Sequence, residues 1–492
     1  MSTHARRPQL ITYPDSLGGS LRSLATILET RLTDTFRGGV HVLPPFPSSA
    51  DRGFAPIRYD RVDPRFGDWS DLQQIARFGP LTLDVMVNHI SRHSPEFHDF
   101  AQYGRTSRHD DMFLRLDKFW PDGDAPVGEV EAIFLRKPKH PFIDVTISGT
   151  GATERVWATF GVDEHDSNQI DLDWRSPLTT ECYQSWFASL ASAGASEVRL
   201  DAVGYLTKRP GTSCFMVEPD VWDLLDQLAK LAAAHGLTVL PEIHAEPAVV
   251  ASVAAHGYPA YDFIMPGLIV HTIWTRSADT LIEHLATLPA TTVTTLDTHD
   301  GIPIQPDLIG VLSKEDLVEL VDGLVDRGAN VSRILEAETR GIDFDAHQVN
   351  ISYLDAVGGA DALVMARAIQ LFSPGRAQVY YQGLLGGSND YEAVVATGEG
   401  RAINRSDYPV AVVDRMLESA PAARQRRLIE LRSQHSAFGA LRPTISQHSP
   451  SAFSIHWEHE GATCRLDVDL TNQTAFVTAS PSGDSPALEW AA

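Results

Sequence analysis

Four acidic residues carry the chemistry this sequence suggests. Asp84 in "LTLDVMVNHI", Asp201 in "SEVRLDAVGY", Glu242 in "LTVLPEIH" and Asp300 in "ATTVTTLDTHD" each lie in or just after a short apolar run. Carboxylates are rarely buried without partners, and strand interiors disfavour them. One such residue reads equally well as a helix cap or a structural ion pair; four at corresponding strand ends read as a catalytic set. Arg199 and Asp201 are two residues apart, so on a strand their side chains leave the same face. The cation keeps that carboxylate ionised and weakly basic, which suits a nucleophile. Asp84 and Asn88 share a face in the same way, with His89 next at the strand end, and His299 and Asp300 end a strand together. Glu242 follows apolar residues and has no adjacent cation, so its pKa is expected to rise, as a general acid requires. A nucleophilic carboxylate and an acidic one are the equipment of retaining glycosyl transfer, and a third binds hydroxyls or stabilises developing positive charge.

These residues need a frame that brings distant strand ends together. "QLITYP", "GGVHVLPPF", "LTLDVMVNHI", "SEVRLDAVGY", "LTVLPEIH", "YDFIMP", "ATTVTTLDTHD" and "RAQVYYQG" read as eight buried strands. Helical patterns such as "SLRSLATILETRL", "VWDLLDQLAKLAAAHG" and "ADALVMARAIQLF" lie between them. Alternating strand and helix predicts a parallel α/β architecture, here a (β/α)8 TIM barrel whose active site sits at the C-terminal strand ends. Two loop-rich insertions interrupt the alternation, and after about Ala437 alternating apolar and polar residues predict a small antiparallel β domain. The expected division is barrel at 1–88, 172–300 and 355–437, insertions at 89–171 and 301–354, and a β domain at 438–492. The second insertion contains "SKEDLVELVDGLVDRG", an amphipathic helix with an acidic start.

Composition narrows the partners. Lys and Arg number 40 against 64 Asp and Glu, a formal net charge of -24, which excludes the broad basic face a nucleic acid needs. Cys182, Cys214 and Cys464 match no zinc or redox spacing and read as buried thiols of a reducing compartment. No run of about eighteen apolar residues occurs, and "MSTHARRPQLITYPDSLGG" has no apolar core of a secretory signal. A cytoplasmic enzyme without membrane contact, metal or cofactor is expected, either a monomer or a homodimer.

"DVMVNH" (84–89), "VRLDAVGY" (198–205), "PEIH" (241–244) and "LDTHD" (296–300), with "NQIDLDW" (168–174), resemble the ordered motifs of the alpha-amylase superfamily, glycoside hydrolase family 13. The resemblance implies Asp201 as nucleophile, Glu242 as acid/base and Asp300 as transition-state stabiliser, with Arg199, His89 and His299 around the bound glucosyl ring. "GVHVLPPFPSSADRGFAPI", "RLDAVGYLTKRPGTSCFM", "FDAHQVNISY", "QVYYQGLLGG" and "GRAINR" are similar to the sucrose phosphorylase subgroup. By that likeness Asp51, Phe54, Phe160 and Arg401 complete the glucosyl pocket. Inorganic phosphate serves as co-substrate and takes the sugar as α-D-glucose 1-phosphate. The carboxylates alone do not separate a phosphorylase from a hydrolase, since both use the same set; the phosphorylase reading comes from the resemblance.

"LRKPKHP" (135–141) is a compact basic run in an acidic chain. In the subgroup it lies on one of two loops facing the acceptor site, and "DFDAHQVN" (343–350) lies on the other. Where sucrose phosphorylase carries a tyrosine on the second loop, this chain has His347, and the first loop carries Arg136, Lys137 and Lys139. Arg offers a planar fork to phosphate oxygens and Lys a point charge. That cluster exceeds what neutral fructose needs and resembles the branch acting on sucrose 6(F)-phosphate, with Arg136, Lys139 and His347 as ligands of the acceptor's phosphate. Lys137 either faces outward or binds the attacking phosphate, and Asp345 and Gln348 are expected to touch the acceptor. The competing readings are a phosphorylase of plain sucrose, a glucosylglycerate phosphorylase and an inactive amylase-like scaffold; retention of all three carboxylates with Arg199 speaks against the last.

Overall fold

The structure is a computed structural model that describes residues 6–121, 123–135, 140–160, 167–330, 347–481 and 488–491. All eight predicted strands are present: β1 (Gln9–Thr12), β2 (Val40–Val42), β3 (Leu81–Met86), β4 (Glu197–Asp201), β5 (Thr238–Pro241), β6 (Tyr261–Asp262), β7 (Val293–Thr294) and β8 (Arg376–Tyr380). Each is short and apolar, and nearly every residue in them is buried. Strands buried on both faces read as continuous apolar runs, as parallel α/β sheets require.

The chain divides into two compact units, 1–41 with 244–492, and 42–243, and the boundary falls inside β2. In the first unit β6, β7, β8 and β1 pair in parallel in that order, with Thr294 opposite Ala377 and Gln9 opposite Gln378. In the second unit β3, β4 and β5 pair in parallel. Their register is decisive for the chemistry. Asp84 lies opposite Arg199, Met86 opposite Asp201, and Arg199 opposite Leu240.

The helices follow their apolar spacing. Leu21–Arg31 starts at Ser20, whose hydroxyl accepts from the Ser23 N–H, and buries Leu21, Leu24, Ala25, Ile27 and Leu28. Asp220–Ala233 buries Val221, Leu224, Leu225, Leu228 and Ala232. Lys314–Asp326, the helix expected from "SKEDLVELVDGLVDRG", starts at Ser313, which accepts from the Asp316 N–H.

Within 89–171 two antiparallel pairs form, His89–Ser91 with Gln169–Asp171 and Phe142–Thr146 with Thr153–Trp157. A small core of Leu114, Leu116, Phe119, Trp120, Ile133, Leu135, Trp157 and Cys214 holds this segment. The C-terminal residues form a five-stranded antiparallel sheet: β9 (Thr444–Ser449), β10 (Ala452–His459), β11 (Ala462–Asp469), β12 (Thr474–Ser480) and β13 (Leu488–Ala491). Trp457 of β10 donates to the Phe372 carbonyl at 2.8 Å, tying the sheet to helix Ala360–Phe372. All three cysteines are free thiols; Cys214 and Cys464 are buried, whereas Cys182 is only half-buried. Burial pushes the Cys182 and Cys464 thiols up to about 12, which makes them inert. No helix of the described residues is long and apolar enough to cross a membrane.

Candidate active site

Arg199 organises the site in the second unit. Its Nη1 donates to Asp84 Oδ1 on the neighbouring strand and to Asp201 Oδ1 at 3.0 Å, while Nη2 lies 3.4 Å from Glu242 Oε1. Strand register explains all three contacts. Asp84 is directly opposite Arg199, Asp201 is two residues ahead on the same face, and Glu242 is two residues beyond Leu240, its partner on β5. The expectation that Glu242 has no neighbouring cation is therefore corrected. Its own strand supplies none, but the adjacent one does. Arg199 is 3% exposed and Glu242 4%, so the ion pairs are poorly screened by solvent.

The turn after Asp201 is strained. Ala202 adopts a left-handed conformation, φ 56° and ψ 31°, uncommon for a residue with a Cβ. That turn aims the Ala202 N–H at Glu242 Oε2, 3.1 Å away. Tyr205 closes the turn and packs edge-on against Phe215 and Phe160, with ring centroids 4.9 and 5.1 Å apart. Gly204 is required there, because a Cβ would meet the Phe215 ring at 2.5 Å. Phe134 packs at a tilt against Phe215, with ring centroids 4.7 Å apart, and its N–H donates to the Ser213 carbonyl at 2.8 Å. Phe134 thus anchors its segment beside the turn after Asp201.

His89 is 1% exposed, and its Nε2 donates to the Phe54 carbonyl at 2.9 Å. Burial lowers its pKa, outweighing the pull of Asp171 and the Phe54 carbonyl, so the ring is neutral near pH 7. With the proton on Nε2, Nδ1 is an acceptor, and it is buried without a hydrogen-bond partner among the described residues. Gln169 Nε2 donates to the same Phe54 carbonyl at 2.8 Å. Phe160 lies edge-on to His89 at 5.3 Å, and the Phe54 ring lies 5.8 Å from the Arg199 guanidinium. Asp51 opens the short turn Asp51–Gly53 immediately before Phe54 and is half-buried. Phe54, His89 and Phe160 thus lie together beside Arg199, with Asp51 in the turn just before Phe54.

Sequence reasoning missed Lys208. It is 2% exposed, and its Nζ donates to Asn88 Oδ1 at 2.8 Å and the Tyr205 carbonyl at 2.6 Å, and lies 2.8 Å from Asp171 Oδ2. Asn88 therefore serves Lys208 while Asp84 serves Arg199, so the two residues expected on one face have separate partners. Burial alone would raise the Asp171 pKa, but Lys208 and the Thr159 N–H and hydroxyl outweigh it and hold it below the usual range. One ammonium thus ties together the end of β3, the first inserted pair and the turn after Asp201.

In the first unit, Asp300 Oδ1 lies 3.1 Å from Arg401 Nη1 and 3.7 Å from Arg405 Nη2, while His299 Nε2 lies 3.5 Å from Asp300 Oδ2. Arg401 Nη2 also approaches Gln348 Oε1 at 3.4 Å. His347 Nδ1 donates to the Gln305 carbonyl, which sets the ring's orientation. Contrary to the expectation from the sequence, His299 and Asp300 do not end a strand. Strand β7 stops at Thr294, and the carbonyls of residues 298–300 bond to side chains instead of a ladder. His244 was also not anticipated; it pairs with Asp307 at 3.2 Å and stacks on Phe263 with ring centroids 3.8 Å apart. Arg136, Lys137, Lys139 and Asp345 lie outside the described residues.

No family model matches the chain. It is 44% identical over 479 residues, 97% of each chain, to the sucrose 6(F)-phosphate phosphorylase of Thermoanaerobacterium thermosaccharolyticum. It is 39% identical over 473 residues, 96% of each chain, to the glucosylglycerol phosphorylase of Marinobacter adhaerens. The crystal structure of sucrose 6F-phosphate phosphorylase from Thermoanaerobacter thermosaccharolyticum superposes with a TM-score of 0.94 at 42% identity, covering 99% of this chain and 97% of that one. The fold is a (β/α)8 barrel with a C-terminal antiparallel sheet.

Proposed function

The chain belongs to the sucrose phosphorylase group of glycoside hydrolase family 13, and from that premise we propose that it phosphorolyses sucrose 6(F)-phosphate to α-D-glucose 1-phosphate and fructose 6-phosphate. The observation that carries the chemistry is the shared guanidinium. Asp201 and Glu242 reach the two terminal nitrogens of Arg199, which favours the short carboxylate spacing, about 5–5.5 Å, of retaining enzymes.

Three carboxylates around one guanidinium cannot all be fully compensated. Asp84 and Asp201 both take Nη1, and Glu242 has the longest of the three contacts. Glu242 thus has the weakest hold on the shared cation, and in this scheme it serves as the acid. Asp201 attacks the anomeric carbon, while the bond to the glycosidic oxygen breaks and that oxygen takes the Glu242 proton. Fructose 6-phosphate leaves, and the glucosyl group is held as an ester on Asp201. A phosphate oxygen then attacks the same carbon, Glu242 recovers a proton from phosphate, and the Asp201 carboxylate is released. Asp300 stabilises the positive charge that develops on the ring in both steps. Asp51, Phe54, His89, Phe160, His299 and Arg401 hold the glucosyl group, with His89 Nδ1 accepting from a sugar hydroxyl. No cofactor enters the scheme.

Arg136, Lys139 and His347 receive the 6-phosphate of the acceptor, and Asp345 and Gln348 its hydroxyls. The relative from Thermoanaerobacterium supports the substrate. A charged sugar phosphate does not cross a bilayer unaided, which supports a cytoplasmic reaction. The test compares glucose 1-phosphate release from sucrose 6(F)-phosphate and from sucrose. A higher kcat/KM on the phosphorylated substrate is expected, and equal or greater activity on sucrose would refute the assignment. Arg136→Ala with Lys139→Ala is expected to remove that preference, and Asp201→Ala to abolish turnover of both.

A further inference from the structure

The backbone around Asp300 is held in an unusual way. Three consecutive carbonyls each accept from a buried side chain: Thr298 from Asn404 Nδ2 at 3.0 Å, His299 from Arg405 Nε at 2.8 Å, and Asp300 from Asn350 Nδ2 at 2.7 Å. The donors come from two separate segments, Asn404 and Arg405 at the end of the 3-10 turn Gly400–Asn404 and Asn350 just after the strand Gln348–Val349. All three are at most 3% exposed. Buried carbonyls must be paired, and here the pairs replace a strand ladder.

Arg405 does more than hold a carbonyl. A guanidinium is planar, so fixing Nε on the His299 carbonyl fixes the direction of its fork. Nη2 then lies 3.7 Å from Asp300 Oδ1, the oxygen that also faces Arg401. The Tyr13 ring lies 5.6 Å from the guanidinium, and its edge meets His299 at 6.0 Å. Gly301 lets the segments close up, since a Cβ there would meet the Val349 carbonyl oxygen at 2.5 Å.

We propose that Asn350, Asn404 and Arg405 form a clamp that positions Asp300, with Arg405 as the member that also places a cation beside its carboxylate. Arg405 is a positioning residue, and its effect on glucosyl transfer runs through Asp300. The clamp rests on the proposed role of Asp300. A carboxylate placed to stabilise transition-state charge affects kcat far more than ground-state binding.

The test uses α-D-glucosyl fluoride with inorganic phosphate, a donor whose leaving group makes no demand on the acceptor loops. Arg405→Gln is expected to lower kcat about 100-fold with KM changed less than about threefold, and Arg405→Lys to recover about tenfold of that loss. Asn404→Ala, which removes the side-chain donor to the Thr298 carbonyl and leaves it only the Gly301 N–H at 3.2 Å, is expected to lower kcat about tenfold. Circular dichroism and thermal melts establish that each variant is folded. If Arg405→Gln does not fold, the lysine and Asn404 variants decide by the same split. A kcat within about threefold of wild type, a loss confined to KM, or a lysine variant no better than glutamine would overturn the clamp. Wild-type protein inactive on glucosyl fluoride would overturn the glucosyl-transfer reading and the clamp with it.

Discussion

Arg199 Nη2 lies 3.4 Å from Glu242 Oε1, although the two residues sit on different strands and 43 positions apart in the chain. The parallel pairing of β4 and β5 produces this contact, and it makes one guanidinium the counter-charge of three carboxylates. Arg199→Gln keeps hydrogen-bonding capacity but removes the charge. Losing one partner of a buried ionic cluster costs about 3–5 kcal/mol. We expect urea unfolding to show a loss in that range together with loss of turnover. A stability change below about 1 kcal/mol, the value of an exposed pair, would show that solvent already compensates the cluster.

Lys208 is another buried cation, and its removal has a distinct pH signature. In Lys208→Met, Asp171 keeps the Thr159 donors but loses its charge partner. The folded-state pKa of Asp171 is lowered, so it contributes stability above its unfolded value of about 3.9, and that contribution disappears as pH falls through the folded value. The variant is expected to be less stable near neutral pH and to converge on wild type below about pH 4. Unfolding free energies measured from neutral to acidic pH check this, and a constant offset throughout would contradict it.

The legible parts of this protein are those with local signals. Eight strands, the helices and the C-terminal sheet follow from apolar periodicity, because burial on one or both faces writes a pattern into neighbouring residues. Arg199 and Asp201 were legible for the same reason, since a two-residue spacing on a strand defines a shared face. The contact between Arg199 and Glu242 was not, because register between strands leaves no mark on either strand alone. Lys208 reaches Asn88 across 120 positions, and Asn404 reaches Thr298 across 106. Such long-range pairs have no local spacing to read. Strand β7 was expected to run to Asp300 because "LDTHD" continues an apolar run, yet side chains from distant segments hold that backbone instead.

His284 provides a stability probe remote from the chemistry. Its Nε2 lies 3.0 and 3.1 Å from the two carboxylate oxygens of Asp262. Burial pulls its pKa down, but the Asp262 charge and hydrogen bond raise it further, for a net rise above 6.5. A raised folded-state pKa means that the pair stabilises the fold fully below the unfolded value and loses that effect as pH rises through the folded value. His284→Gln keeps a donor without the titration. The difference in unfolding free energy between wild type and this variant is expected to be largest near pH 5.5 and to shrink toward about pH 8.5. A difference that grows with pH would reverse the assignment.

Gly301 links the backbone beside Asp300 to the strand Gln348–Val349. Its φ is +97°, and an added Cβ would meet the Val349 carbonyl oxygen at 2.5 Å and Asn350 Nδ2 at 2.7 Å. Both atoms belong to the segment that holds the Asp300 carbonyl, so relief of the clash must move Asn350 or Asp300. The left-handed conformation alone costs a residue with a Cβ about 1–2 kcal/mol. Gly301→Ala is expected to lower the melting temperature by only a few degrees, roughly the size of that strain. Turnover should fall by at least about tenfold if Asp300 has its proposed role, because misplacing such a group by a fraction of an ångström removes transition-state stabilisation. Steady-state kinetics and a thermal melt on the same preparation separate the two effects. Full activity with the expected melting shift would show that the segment absorbs the methyl group without displacing Asp300.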